Sequence, residues 1–199
     1  SSPLSLIAGT LDGAASATGG SVSIGSGAAA DGVSAVAIGE SSFALDDFAT
    51  AVGATTNANS NQSTAIGASA LADQSQATAL GSFAQAIGEL STAAGAVAEI
   101  EAQGGTALGA NTIIEADKGT ALGLEAFVTE AGVGSVALGS QSVADEANTV
   151  SVGDAAEETS SEPALAEPLS EPVVAEPVVA EVSAALAEVE PADVEPADV

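Results

Sequence analysis

Carboxylates are nearly the only side chains in this sequence that could do acid–base or metal chemistry. Among 199 residues there are 28 Asp and Glu, one base, Lys118, and neither His nor Cys. The chain therefore lacks the usual general bases and thiol nucleophiles, and it has no Arg to stabilise an oxyanion. The adjacent pair Asp46 and Asp47 could in principle serve glycoside hydrolysis, but neighbours on a loop are more often solubilising charge. We predict no catalytic residues and a protein that is not an enzyme.

Two weaker chemical features remain. Carboxylates are ligands for Ca²⁺, and acidic turns stacked along a rod could hold this ion, but no spacing matches a calcium loop. We predict no cofactor and no metal-ligating residue, with weakly bound calcium as an alternative. Six threonines lie at 14-residue steps from Thr50 to Thr120. Such a ladder is typical of half-buried strands, and ordering of water at an ice surface is a minor alternative.

The charge balance excludes several kinds of partner. A net charge of −27 would repel phosphate backbones, so nucleic acid is not expected as a ligand. No apolar run approaches the about 20 residues that a spanning helix needs, so we expect no direct membrane insertion by this segment. The start, SSPLSLIAGTLDG, has no basic region before its apolar stretch. If the protein is exported, either a signal peptide has already been removed or this sequence begins inside a longer protein. Export is therefore inferred and not read from the sequence.

An apolar residue followed by glycine recurs through most of the chain. Seven consecutive steps of 14 residues connect Gly25 to Gly123, and steps of 16 and 14 residues lead on to Gly139 and Gly153. A tight reversal often needs a positive φ, which glycine adopts at little cost. We predict that these are structural turn glycines: Gly25, Gly39, Gly53, Gly67, Gly81, Gly95, Gly109, Gly123, Gly139 and Gly153.

The positions around each glycine predict two short strands per repeat. Three positions before the glycine stands mostly Thr or Val, two positions before it a small residue, usually Ala, and directly before it an apolar residue that is mostly larger than Ala. This alternation, with β-branched residues, is typical of a β-strand. A second alternating segment follows three to five residues after the glycine. The larger apolar positions form a trimer or core column: Ile24, Ile38, Val52, Ile66, Leu80, Leu108, Leu122, Leu138 and Val152.

Two strands and two turns in 14 residues describe one coil of a parallel β-roll, or solenoid, with coils stacked at about 4.8 Å. The first strand is apolar on both faces, and one roll can enclose only one of them. The alanine face suits the narrow interior, so the larger column would be exposed unless other copies cover it. We therefore predict an all-β fold that self-associates with closed symmetry.

The composition changes abruptly after Gly153. All 22 glycines lie at or before it, whereas six of the seven prolines follow it. We predict a degenerate N-terminal coil or cap at 1–20, β-roll repeats at 21–153, and an acidic, Pro/Glu/Ala/Val-rich linker or disordered tail at 154–199. Within the tail, residues 178–190 lack proline and have coiled-coil spacing, which favours a short helix.

The repeat resembles a known family. The segments SAVAIG at 34–39, STAIG at 63–67, GTALG at 105–109 and SVALG at 135–139 are similar to the head repeats of trimeric autotransporter adhesins, the YadA-like group. NTVSVGD at 148–154 resembles the last head repeat before the neck of that family, although the neck motif, stalk and membrane barrel do not follow.

The resemblance implies a left-handed parallel β-roll, a homotrimer, an extracellular, cell-surface location, and attachment to a matrix protein, a cell-surface ligand or a polysaccharide. Association with an outer membrane would then depend on a segment or partner outside this sequence. A structural fibre module without its own ligand, such as part of a phage tail fibre or an extracellular filament, is the alternative function.

Overall fold

The computed structural model describes residues 6–8 and 15–153, and these residues form strands and turns only. One sheet is made of three-residue strands: β1 (Leu6–Ala8), β3 (Val22–Ile24), β5 (Val36–Ile38), β7 (Thr50–Val52), β9 (Thr64–Ile66), β11 (Thr78–Leu80), β13 (Thr92–Ala94), β15 (Thr106–Leu108), β17 (Thr120–Leu122), β19 (Val136–Leu138) and β21 (Val150–Val152). The other is made of two-residue strands: β2 (Ser16–Ala17), β4 (Ala29–Ala30), β6 (Phe43–Ala44), β8 (Asn57–Ala58), β10 (Leu71–Ala72), β12 (Gln85–Ala86), β14 (Glu99–Ile100), β16 (Ile113–Ile114), β18 (Phe127–Val128) and β20 (Val143–Ala144).

The chain alternates between the two sheets, and each strand pairs in parallel with the equivalent strand of the next coil. The first sheet has 11 strands and the second has 10, both ordered as in the chain. Equivalent repeat positions pair directly, as in Thr64, Thr78 and Thr92. The predicted all-β parallel solenoid with 14-residue coils is therefore confirmed. Its left-handed sense and its trimeric state stay predictions.

The roll also has two strands before residue 21, β1 and β2. In β1, Ile7 pairs with Ser23 in the register that the rest of the sheet follows. At the other end, the chain divides into two units, 1–161 and 162–199. The predicted tail at 154–199 and its short helix at 178–190 lie outside the described residues.

The interior is narrow and filled mostly by small side chains. From β3 to β20, the middle residue of each first-sheet strand and the second residue of each second-sheet strand point inward and are buried, Ala37, Ala51 and Ala44 fully. Buried hydroxyls bond to turn carbonyls, as when Ser91 Oγ donates to the Gly88 carbonyl at 2.6 Å. Within the described part of the chain, no buried side-chain polar atom lacks a partner. The thin core is therefore both close-packed and satisfied.

Three consecutive coils carry larger inward residues, Ile100, Ile114 and Val128, at a position that is alanine elsewhere. Glycines compensate for them. A Cβ added at Gly105 would lie 2.7 Å from Ile100 Cγ2, and one at Gly119 would lie 2.9 Å from side-chain carbons of Ile114 and Val128. The volume of these large residues is therefore accommodated by the missing side chain opposite.

Exchanging the two sizes tests this complementarity. We expect Ile100→Ala alone to reduce the free energy of unfolding by about 2–5 kcal/mol, because it leaves a cavity. Gly105→Ala alone should cost about 1–3 kcal/mol through overpacking. The double variant should lose clearly less than the sum, since the new methyl group occupies the vacated space. Denaturant unfolding at one fixed chain concentration measures all three; strict additivity would contradict the packing described here.

All ten predicted turn glycines have positive φ, between 112° and 153°. A Cβ on any of the eight from Gly25 to Gly123 would overlap the backbone of the glycine one coil further on. Gly139 has more room, and Gly153 has no atom near its added Cβ. Glycine is therefore required at the eight inner turns for two reasons, its φ and the close approach of the next coil.

The turns have a second conformational feature, which the residue pattern did not predict. Fifteen non-glycine residues, Val97 among them, have φ between 53° and 60°. Each such residue donates its N–H to a carbonyl of the preceding coil, as Val97 does to Ser82 at 3.0 Å. Left-handed backbone is unfavourable for L-residues, particularly β-branched ones, so the bond between coils offsets a local cost.

Val97→Asn should therefore stabilise the roll. Asparagine tolerates the left-handed conformation far better than valine, and Asn111 already occupies the same turn position one coil later. We expect a gain of about 1 kcal/mol and a rise in Tm of about 2–4 °C by thermal unfolding. The matched control is Val33→Asn, since Val33 is equally exposed but does not have a positive φ. An equal effect at both sites would show that conformation is not the cause.

Candidate functional site

The outer face of the first sheet is uncharged from β3 to β21. Two side chains of each of these strands point outward, and the twenty outward residues from Val22 to Val152 include no Asp, Glu or Lys. We call this surface the uncharged face. Its first column is Val22, Val36, Thr50, Thr64, Thr78, Thr92, Thr106, Thr120, Val136 and Val150, and its second is Ile24, Ile38, Val52, Ile66, Leu80, Ala94, Leu108, Leu122, Leu138 and Val152.

The predicted apolar column therefore lies on the surface of the single chain and not in its interior. Ile38, Val52 and Leu122 are half-buried, and the other six predicted members are exposed, with Leu108 at 45%. Monomeric proteins rarely leave an apolar stripe of this length in water. The uncharged face is therefore the surface that is best suited to contact with another molecule.

The threonine ladder lies on the same face. Thr64, Thr78 and Thr92 pair in register on neighbouring strands and are half-buried, with their side chains outward. The ladder and the apolar column share the first-sheet strands from β7 to β17, except β13, where Ala94 takes the place of a larger residue, so whatever covers one also covers the other.

The charges lie elsewhere on the roll. The turns that lead from the second sheet to the first carry eleven acids and Lys118: Asp31, Asp46, Asp47, Asp73, Glu89, Glu101, Glu115, Asp117, Glu130, Asp145 and Glu146. Within residues 15–153, the acids of the opposite turns are Glu40 and Glu125, and Glu99 lies on the second sheet. One edge of the roll is therefore strongly acidic.

The carboxylates of Asp46 and Asp47 accept hydrogen bonds from backbone N–H groups. Asp46 Oδ1 accepts the N–H of Asp47 at 2.7 Å, and Asp47 Oδ1 accepts the N–H of Val33 in the previous coil at 2.8 Å. Both carboxylates thus cap backbone donors of stacked turns. Among residues 6–8 and 15–153 there is no group of three acidic side chains placed to hold a metal ion.

The outer face of the second sheet is more varied in residue type, and it was not among the predicted sites. A shallow groove crosses three coils there, lined by Thr55, Asn57, Ser69, Leu71, Phe83 and Gln85. These residues lie two and four positions after successive turn glycines, so tabulating those two columns would have revealed the grouping. The described part of the chain contains no helix that could cross a bilayer.

Comparison with known proteins bears on the repeats. The family described as YadA head domain repeat (2 copies) matches residues 19–42, 30–56, 58–84 and 131–156. Among solved structures, the chain is similar to the collagen-binding domain of the Yersinia adhesin YadA, with 28% identity, 63% of this chain and 69% of that chain covered, and a TM-score of 0.42. Comparison with curated proteins gives no match.

The matched segments coincide with coils of the roll. Those before residue 85 cover β3 to β11, and the last covers β19 to β21. The coils between them keep the same register, strand lengths and turn glycines. The family match therefore shows YadA head domain repeats in these segments, and the coils between them continue the same parallel stacking.

Proposed function

We propose that this chain forms the head of a homotrimeric, extracellular adhesin that attaches a cell surface to a matrix protein, to another cell or to a polysaccharide. The YadA head family favours an adhesin-type function. The observation that carries the proposal is the uncharged face, since it offers a continuous apolar and threonine surface that a second copy could cover. Three copies that place this face inward would bury the apolar column and leave the acidic edges in water.

The trimer also explains how attachment could be strong when each site is weak. Three identical chains with stacked coils present every outward-facing site three times on one particle. Linked sites engage a multivalent surface with an avidity that exceeds the single affinity by about 10²–10⁴. The attachment needs no bound cofactor, because it relies on surface contacts alone.

Purified full-length chain tests the proposal when it is flowed over immobilised collagen, polysaccharide and intact cells in a biosensor. We expect at least one of these surfaces to retain the protein. The double variant Ile66→Asp/Leu80→Asp, designed to separate the copies, should be retained at least tenfold less. A stable trimer that is inert on every surface would overturn the adhesin function and favour a spacer in a fibre.

A further inference from the structure

We propose that the groove on the second sheet, defined by Thr55, Asn57, Ser69, Leu71, Phe83 and Gln85, binds a neutral oligosaccharide. This inference rests on the proposed attachment function and assigns a ligand class to it. The groove lies on the sheet opposite the uncharged face, so association through that face leaves it in contact with solvent.

The floor of the groove is fixed by the sheet. Asn57, Leu71 and Gln85 are direct partners on the neighbouring strands β8, β10 and β12. At about 4.8 Å per coil, the two amides are about 10 Å apart with the leucine between them. This separation is comparable with the length of a disaccharide. Rigid strands hold these polar groups better than a mobile loop would.

The wall of the groove is one column of left-handed turn residues, Thr55, Ser69 and Phe83. Backbone bonds between coils hold them, since Ser69 donates to Ala54 and Phe83 donates to Ala68, both at 2.9 Å. The Phe83 side chain remains 57% exposed. An exposed phenyl ring with a negative face is a surface on which the C–H groups of a pyranose can stack.

The polar groups of the groove have unused bonding capacity. Within the described residues, the half-buried side-chain amides of Asn57 and Gln85 make no hydrogen bond, whereas that of Asn59 donates to Asp73 at 2.8 Å. Thr55 Oγ1 donates to the Ala54 carbonyl at 2.7 Å and lies 2.8 Å from Ser69 Oγ, which leaves acceptor capacity on the serine. Amides and hydroxyls of this kind match the paired donors and acceptors of sugar hydroxyls.

Charge selects against the other common ligands of such a groove. All six lining residues are uncharged, while the chain carries a net charge of −27. Sulfated or uronic acid sugars would be repelled and would find no basic partner. A cationic ligand would be drawn instead to the acidic turns. A neutral sugar is the ligand class that meets both the hydrogen-bonding groups and the electrostatics.

The test uses the small number of aromatic rings. The chain has four Phe and no other aromatic residue, so individual ring signals can be resolved by NMR. We expect titration of the full chain with cellobiose, lactose, maltose and di-N-acetylchitobiose to shift the Phe83 ring signal for at least one sugar, with a Kd of about 1 mM. A heparin disaccharide should leave that signal unchanged.

Two phenylalanine variants form a matched pair. Phe83 and Phe48 both have φ of 59° and are 57% and 56% exposed, but Phe48 lies at the acidic edge. Phe83→Ala should weaken sugar binding at least tenfold, Phe48→Ala should change it less than twofold, and Phe83→Tyr should preserve it. Gln85→Ala should weaken sugar binding several-fold. This variant replaces Phe83→Ala in the test if Phe83→Ala fails to fold.

The inference is overturned if no neutral sugar binds, if the heparin disaccharide binds equally well, or if both alanine variants behave alike. Its failure is distinguishable from failure of the proposed function. Retention of the protein on cells or collagen without any sugar binding would remove only the groove from the account. Loss of self-association would remove the trimer but not the groove, because all six residues belong to one chain.

Discussion

Gly81→Val is expected to unfold the central coils of the roll. The Gly81 N–H donates to the Ile66 carbonyl at 2.8 Å, its φ is 136°, and an added Cβ would overlap the backbone of Gly95. Valine is β-branched and does not adopt this conformation, and the neighbouring coil cannot move without breaking its own ladder. We expect a loss of more than about 4 kcal/mol, seen as loss of the β-sheet circular dichroism signal at 25 °C or a collapse of Tm.

Gly27→Ser is the control for this variant. Gly27 also has a positive φ, at 67°, but an added Cβ there would meet only the Ser41 hydroxyl at 3.5 Å. Serine already occupies the equivalent turn position at Ser41 and Ser69. We expect a change in stability below about 1 kcal/mol. A Gly81→Val protein as stable as Gly27→Ser would show that close stacking of the glycine turns is not what holds the coils.

Ile66→Asp combined with Leu80→Asp is expected to convert the self-associated protein into monomers. Both side chains lie exposed on the uncharged face of adjacent strands, β9 and β11. In a closed trimer the change would place six carboxylates in one desolvated seam that holds no basic residue. An unpaired buried charge costs several kcal/mol, so association at micromolar concentration should be lost. Sedimentation velocity measures the change.

The control adds the same charges at another place. Leu45 and Leu90 are exposed to a similar degree, but they lie in the turns that follow the second sheet. Leu45→Asp combined with Leu90→Asp should leave the sedimentation coefficient unchanged. If this control dissociates as completely as the first variant, net charge and not the uncharged face determines association.

The repeat itself was predictable because parallel stacking of coils that are mostly 14 residues long places similar residue types at the same position in most coils. Glycine at positions such as Gly81 and alanine at positions such as Ala79 therefore appear as columns in the sequence. The alternation around them predicted two apolar faces, and in the structure the alanine column lies in the interior and the larger apolar column on the opposite face.

Features that depend on turn geometry, or on contacts between two different positions of the repeat, were not predictable in the same way. The left-handed conformation at Val97 is imposed by the turn geometry and has no residue signature, since the column also contains Phe83 and Glu125. The compensation between Ile100 and Gly105 becomes apparent only when the facing strands are brought together. The groove was missed for the same reason, because its residues come from two columns that vary in chemistry along the roll.

The molecular mass of the wild-type chain in solution is the most direct test of the account, since the proposed trimeric adhesin depends on covering the uncharged face. Sedimentation equilibrium at micromolar concentration should give a single species of three times 18.7 kDa. A folded, monodisperse particle of one chain, stable with its apolar column in water, would contradict the account.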